Sequence, residues 1–199
     1  TYTIAEWDSF AQDDVSDLGT HTNDGTGNGA SELIISEYVE GSGSNKAIEI
    51  ANFTGASVNL SDYSLRKETN GSGGWTATVL SLSGTLANGD VYVIVNNAAD
   101  VATKANGDLL TTSDVMAFNG DDPIGLFKSG VLIDIVGTLG GGATNFAINQ
   151  TLVRKATITS PNTTYTVAEW NALATDDVSN LGSHSMTLTP TVTTWNGTS

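Results

Sequence analysis

Apolar positions in the middle of the chain fall in short runs of β-branched and aromatic residues. They lie at Leu33–Val39, Ala47–Asn52, Tyr63–Lys67, Trp75–Leu82, Val91–Val95, Val115–Phe118, Ile124–Lys128, Val131–Val136 and Thr151–Lys155. Runs of this length and composition predict strands. Turn chemistry separates them at Gly41-Ser-Gly-Ser-Asn45, Asn70-Gly-Ser-Gly-Gly74, Asn88-Gly-Asp90 and Lys128-Ser-Gly130, where glycine and asparagine supply positive φ and side-chain-capped turns. The reading is all-β, about eight or nine strands at sandwich spacing. Alternation in Ile48-Glu49-Ile50 and Ile133-Asp134-Ile135 predicts half-buried strands facing a common core.

The two ends follow a different pattern, and they match each other. Thr1–Thr22 reads TYTIAEWDSFAQDDVSDLGTHT and Thr164–Ser185 reads TYTVAEWNALATDDVSNLGSHS, 163 residues apart and identical at 14 of 22 positions. A repeat at fixed offset is the signature of a tandem array. Thr1–Thr22 is therefore expected to close one unit and Thr164–Ser185 the next; the alternative is a clasp lying on both sides of one domain. Ile4, Trp7 and Phe10/Ala11, like Val167, Trp170 and Leu173/Ala174, follow helical spacing. The Asp-Asp-Val-Ser stretch then reads as a helix exit, with Gly19 and Gly182 available for a left-handed position. An isolated helix this short is marginal in water, so Thr1–Thr22 is expected to pack on this domain. Residues 23–29 read as a linker, residues 30–186 as the β domain, and residues 187–199 as a linker or the first strand of a following domain. The chain reads as an excised segment of a longer protein.

Composition narrows the function classes. The chain of 199 residues has no cysteine, so apolar packing rather than a disulfide framework must hold the fold. No apolar run approaches the roughly 20 residues that span a bilayer, so membrane insertion is not expected. Seven basic residues stand against 22 acidic ones, a formal charge of −15. With no basic stripe to neutralise phosphates, nucleic acid is an unfavoured partner.

Several motifs in register resemble the bacterial lamin tail domain. They are Ile35-Ser-Glu-Tyr-Val-Glu40, Asn45-Lys-Ala-Ile-Glu-Ile-Ala-Asn52, Val58-Asn-Leu-Ser-Asp-Tyr-Ser-Leu65, Gly84-Thr-Leu-Ala-Asn-Gly-Asp-Val-Tyr-Val-Ile94, Phe118-Asn-Gly-Asp-Asp122 with Gly125-Leu126, and Ile133-Asp-Ile-Val-Gly137. Thr151-Leu-Val-Arg-Lys155 and the Glu169-Trp170 … His184 ending look like the closing part of the same domain. The resemblance implies an immunoglobulin-like β-sandwich with short peripheral helices. It also implies a secreted context, since such bacterial domains accompany large surface proteins and secreted nucleases. The Thr193-Thr-Trp-Asn-Gly197 ending is similar to segments of proteins exported by Bacteroidetes through the type 9 secretion system. At Leu139–Gly142 the chain departs from the family, with Leu-Gly-Gly-Gly in place of an acidic, proline-containing turn.

Candidate chemistry is sparse. No nucleophile elbow, His-Glu-x-x-His or phosphate loop occurs, and His21 and His184 occupy equivalent repeat positions rather than one site, so no enzyme is expected. Asp121 and Asp122 form the sharpest acidic pair and are the candidate calcium ligands, since extracellular calcium takes carboxylates and carbonyls from such loops; the competing reading is a turn that caps its own backbone. Asp13-Asp14 and Asp176-Asp177 read as solvated helix ends. Glu37 and Glu49, near Lys46, read as a cross-strand charge pair or solvent-facing residues, the competing reading being a buried carboxylate with a function. Trp75 is either a stacking platform for a sugar or a sheet-edge core residue. The expected role is a non-catalytic binding, adhesion or spacer module of a secreted repeat-containing surface protein. Its partners would be neighbouring domains of the polypeptide, outer-membrane secretion or cell-surface components, or glycans. The rival is an accessory domain of a secreted DNA-degrading endonuclease.

Overall fold

The computed structural model describes residues 20–22, 29–188 and 192–194. Thr1–Gly19, most of the first repeat copy, and the 23–28 part of the linker therefore lie outside the described residues. So does the expected docking of Trp7.

Strands β1 (Thr20–Thr22), β2 (Ile34–Glu40), β3 (Lys46–Asn52), β4 (Val58–Asn59), β5 (Tyr63–Lys67), β6 (Leu80–Ser81) and β7 (Thr85–Leu86) make up the first half. They are followed by β8 (Asp90–Asn96), helix α1 (Val101–Lys104), β9 (Leu109–Thr111), β10 (Ile124–Lys128), β11 (Val131–Val136), β12 (Gln150–Arg154), β13 (Trp170–Leu173) and β14 (Val192–Thr194). Two large sheets result, one ordered β13-β12-β2-β3-β8-β9 and the other β11-β10-β5-β6. Small ribbons pair β4 with β7 and β1 with β14. This is the β-sandwich that the strand pattern predicts, in the immunoglobulin-like form that the resemblance implies. Pairing is antiparallel except for β8 with β9, a parallel pair that needs a crossover. That crossover carries α1, whose N-terminus is capped by Asp100 through the Thr103 N–H at 2.8 Å.

The main core fills the space between the two large sheets. Leu33, Ile35, Tyr38, Ile48, Ile50 and Ile94 supply it from one side, and Leu65, Ile124, Leu126 and Val136 from the other. Tyr38 is fully buried, stacks on Phe118 with ring centroids 4.7 Å apart, and donates its hydroxyl to the Asn119 carbonyl. A second apolar cluster lies on the outer face of the six-stranded sheet. There Ile34, Val39, Ala47, Ala51, Val93 and Val95 meet Leu181, with Val178 and Met186 beside them. Both faces of β2 and β3 are consequently buried along their whole length.

Four sequence expectations are corrected. Neither the Ile48-Glu49-Ile50 nor the Ile133-Asp134-Ile135 alternation marks a half-buried strand, because Glu49 is covered by the closing segment and is 1% exposed, and Asp134 is 0% exposed. The Val115–Phe118 run forms a 3-10 turn at Asp114–Met116 that buries Val115 and Met116; its length suits a strand, but Ser113 caps it locally. Of Trp75–Leu82 only Leu80–Ser81 pairs in a strand, plus an isolated Trp75 bridge to Glu68, since the flanking glycines break the ladder. The helical spacing over Val167–Ala174 yields a 3-10 turn at Val167–Glu169 and then edge strand β13. Backbone groups offered by β12 capture this stretch, and intrinsic preference in four to eight residues is too weak to resist.

One side chain joins the two large sheets. Asp134, on β11, reaches across so that Oδ2 accepts the Ile35 N–H at 2.7 Å, and Oδ1 accepts the Asn162 N–H at 2.9 Å. Arg154, at the end of β12, donates to both oxygens at 3.2 Å, and both side chains are fully buried. Removing one partner of a buried ion pair leaves the other charge uncompensated. Asp134→Ala is therefore expected to destabilise the domain by about 3–5 kcal/mol, measured as a shift in the chemical-denaturation midpoint with unchanged slope.

Candidate functional site: a strapped sheet face over buried carboxylates

The outer face of the six-stranded sheet carries the most unusual chemistry among the described residues. Strand β2 has a bulge between Ile35 and Glu37, so Ser36 and Glu37 together oppose Glu49 of β3. A bulge re-aims side chains. Here it sets two carboxylates directly across from each other, both 1% exposed. Glu49 accepts the Ser36 hydroxyl at 2.7 Å and the Gly182 N–H at 2.7 Å. Both oxygens of Glu37 are buried without a hydrogen-bond partner. Burial, then the charges of Glu49 and Asp177, push Glu37 up to about 8. Burial pushes Glu49 up to about 7 against the hydrogen bonds from Ser36 and Gly182. Two like charges in contact do not both ionise readily in such surroundings.

The cover over these carboxylates is the second repeat copy. It begins where Glu169 pairs with Arg154 at 2.7 Å and the Trp170 ring lies under the Arg154 guanidinium, 4.7 Å from its carbon to the ring centroid. Strand β13 then adds to the edge of β12, with Arg154 opposite Trp170 and Thr151 opposite Leu173. Asp176, at φ 59°, turns the chain back across the sheet. Its carboxylate accepts the Ser42 N–H and hydroxyl and the Asn45 amide at 2.7–3.0 Å, which holds it below the usual carboxylate range. Gly41 must be glycine here, because a Cβ would collide with that carboxylate. Val178 and Leu181 cover the outer cluster, Gly182 takes φ 92°, and the His184 ring meets Phe53 edge-on at 5.9 Å. Burial and the Arg154 charge lower the His184 pKa. A cleft of about 350 Å³ opens beside this strap, lined by Val153, Arg154, Asn171, Asn180 and His184 among others.

The residues singled out from sequence are scattered rather than convergent. Asp122 is buried and caps turns: Oδ1 accepts the Asn70 N–H at 2.7 Å and Oδ2 the Asn119 N–H at 2.9 Å. Asp121 lines a separate small cleft with Thr138, Gly141, Gly142, Thr144 and Phe146. Among the described residues no group of three or more His, Cys, Asp or Glu side chains stands where it would hold a metal ion. Lys46 pairs with Glu40 at 2.6 Å rather than with Glu37 or Glu49, so the expected cross-strand charge pair is corrected to a like-charge pair sealed from solvent. Asp176-Asp177 is corrected from a helix end to a loop clamp. Trp75 packs edge-on against Phe127 with centroids 5.1 Å apart and meets Gly125, the sheet-edge placement. Side chains of the first copy, His21 with Asp13 and Asp14, are outside what the structure describes. Sequence reasoning missed Asp134, Arg154 and Glu68. The Glu68 carboxylate is fully buried and binds the Gly73, Gly74 and Gly140 N–H groups, tying two glycine-rich loops together.

Protonation of Glu37 and Glu49 is linked to folding. Their folded-state values lie above those of the unfolded chain, so the stability they contribute is full below about pH 4.5 and is lost as pH rises through about 7 to 8. Glu37→Gln is expected to raise stability relative to the parent by about 1–3 kcal/mol at pH 8.5 and by little at pH 5, read by urea unfolding at both pH values. A pH-independent difference would refute the linkage. The capping role of Asp122 gives a second expectation: millimolar calcium leaves the melting temperature unchanged, whereas an ion bound at Asp121 and Asp122 would raise it.

A family model described as Lamin Tail Domain matches residues 26–140. No curated protein matches the chain. The match covers both halves of the β2–β3 pair and ends before β12, β13 and the strap, which complete the sheet.

Proposed function

We propose, for a chain that belongs to the lamin tail domain family, that it is a non-catalytic binding, adhesion or spacer module of a secreted, repeat-containing surface protein of bacteria. The family domain is an immunoglobulin-like module, generally non-catalytic. The observation that carries the reading is the place of the repeated segment. Thr164–Ser185 is the element that closes the sandwich, so the 163-residue offset to Thr1–Thr22 spans one closed unit. Repetition then falls at unit boundaries, as in arrays that project or space other domains.

The acidic balance of −15 suits a solvated module whose partners are neighbouring domains, surface components or glycans, and works against nucleic acid. Type 9 secretion is the export route this reading assigns, from the Thr193–Gly197 ending. Fold alone does not specify a ligand, because function resides in sites that folds carry.

Two measurements test the proposal. Mild protease applied to intact source cells is expected to remove the parent protein, as for a surface protein; protection until the cells are lysed would overturn the reading. The purified chain is expected neither to nick supercoiled plasmid nor to retard it at physiological salt with millimolar magnesium. Cleavage of the plasmid would replace the module with a nuclease.

A further inference from the structure

The contacts that hold the strap are the positions at which the two repeat copies agree. The pairing partner of Arg154, Glu169, and the ring beneath its guanidinium, Trp170, correspond to Glu6 and Trp7. The clamp on the Ser42 loop, Asp176, corresponds to Asp13. The Asp177 carboxylate that takes the Ser179 N–H and hydroxyl has Asp14 and Ser16 as its counterparts. Val178 and Leu181, which cover the outer cluster, correspond to Val15 and Leu18. Gly182, whose N–H binds Glu49, corresponds to Gly19, and His184 against Phe53 to His21.

The substitutions fall where they cost little. Val167, at 70% exposure, and the exposed Asn171 and Ala172 are replaced by Ile4, Asp8 and Ser9. Half-buried Leu173 becomes Phe10, which keeps an apolar side chain at that register. Two contacts are not reproduced: the Thr175 hydroxyl on the Asn149 carbonyl, whose counterpart is Gln12, and the Asn180 amide on the Ser179 hydroxyl, whose counterpart is Asp17. The β13–β12 ladder itself consists of main-chain hydrogen bonds that any sequence can make.

We propose that Thr1–Thr22 is a second, transferable closing strap, and that the outer face of the six-stranded sheet is an interaction surface for it, so that the strap of one copy can complete the sheet of another. The inference rests on the repeat-module reading and adds a partner to it, a second unit of the same kind. Edge-strand addition supplies the main-chain hydrogen bonds, while the tryptophan, aspartate and leucine anchors supply register. A tethered strap competes at an effective concentration in the millimolar range. A free copy therefore enters only where the resident strap is released or weakened, and the proposal describes exchange between units rather than spontaneous association of intact ones.

The test uses the full chain with Trp7, Leu18, Trp170 and Leu181 all changed to alanine, which disables both straps, and a labelled synthetic peptide of sequence Thr1–Thr22. The peptide is expected to bind saturably and to raise the melting temperature of the variant by about 4 °C or more. It should leave the parent chain, whose strap is in place, unaffected. A peptide carrying W7A and L18A should do neither. If the variant does not fold alone, recovery of its β-sheet circular dichroism on adding the peptide, and not on adding the altered one, is the supporting result.

A second comparison needs no peptide. W7A with L18A is expected to change nothing in the parent but to lower the melting temperature further in a W170A/L181A background, where the first strap substitutes for the second. Absence of binding together with absence of recovery overturns the proposal, as does an altered peptide that works equally well. A silent peptide overturns strap exchange alone, whereas plasmid cleavage or protection from surface protease overturns the module reading alone.

Discussion

The fold depends on the Asp134–Arg154 pair and the groups it organises. Asp134 belongs to the four-stranded sheet, yet both of its oxygens are committed to the other side of the sandwich and to the Asn162 loop. The Ile35 N–H that it receives lies at the β2 bulge, past the last register pair with β12, where no strand partner remains for it. An unsatisfied buried N–H would cost about 1–3 kcal/mol, and the carboxylate removes that cost while fixing how the sheets stack. Burial pushes the Asp134 carboxyl up, and Arg154 with the two backbone N–H groups opposes that push.

Arg154 passes the constraint outward. Its guanidinium meets Asp134 inside the sandwich, Glu169 at the rim and the Trp170 ring above, so one side chain fixes the sheet stacking and the start of the closing strap together. Strap docking in turn converts the β2–β3 centre of the six-stranded sheet from a one-sided surface into a layer buried on both faces. That conversion places Glu37 and Glu49 away from water. Burial there favours the neutral form of both, and Lys46 is taken by Glu40. The bulge at Ser36, the strap and the carboxylate pair therefore form one coupled arrangement, and disturbing any of the three changes the hydration of the others.

Much of the architecture was legible in the residues. Strands β5, β10 and β11 follow their apolar runs to the residue, because each is bounded by glycine, asparagine or proline turns. The closing segment was legible as a unit because it is duplicated, but its conformation was not. Trp170 and Leu173 sit at helical spacing, and the vacant edge of β12 makes that stretch a strand. Val115–Phe118 failed in the opposite sense, since four apolar residues do not distinguish a strand from a capped 3-10 turn packed under a sheet. For Glu37 and Glu49 burial was only the competing reading, because alternation reports which face a residue takes and not whether that face is covered.

Local periodicity and turn chemistry act over a few residues, and they determined the positions of the longer strands and the β-sandwich class. The sequence likewise determined that packing and not disulfides would hold the chain. Tertiary structure alone decided which face of the six-stranded sheet was covered, that Asp134 would join the sheets, and that two glutamates would be sealed against each other. Those outcomes depend on groups separated by 99 residues between Ile35 and Asp134 and by 133 between Glu49 and Gly182. Electrostatics and desolvation respond to such neighbours in space, and no local pattern along the chain encodes them.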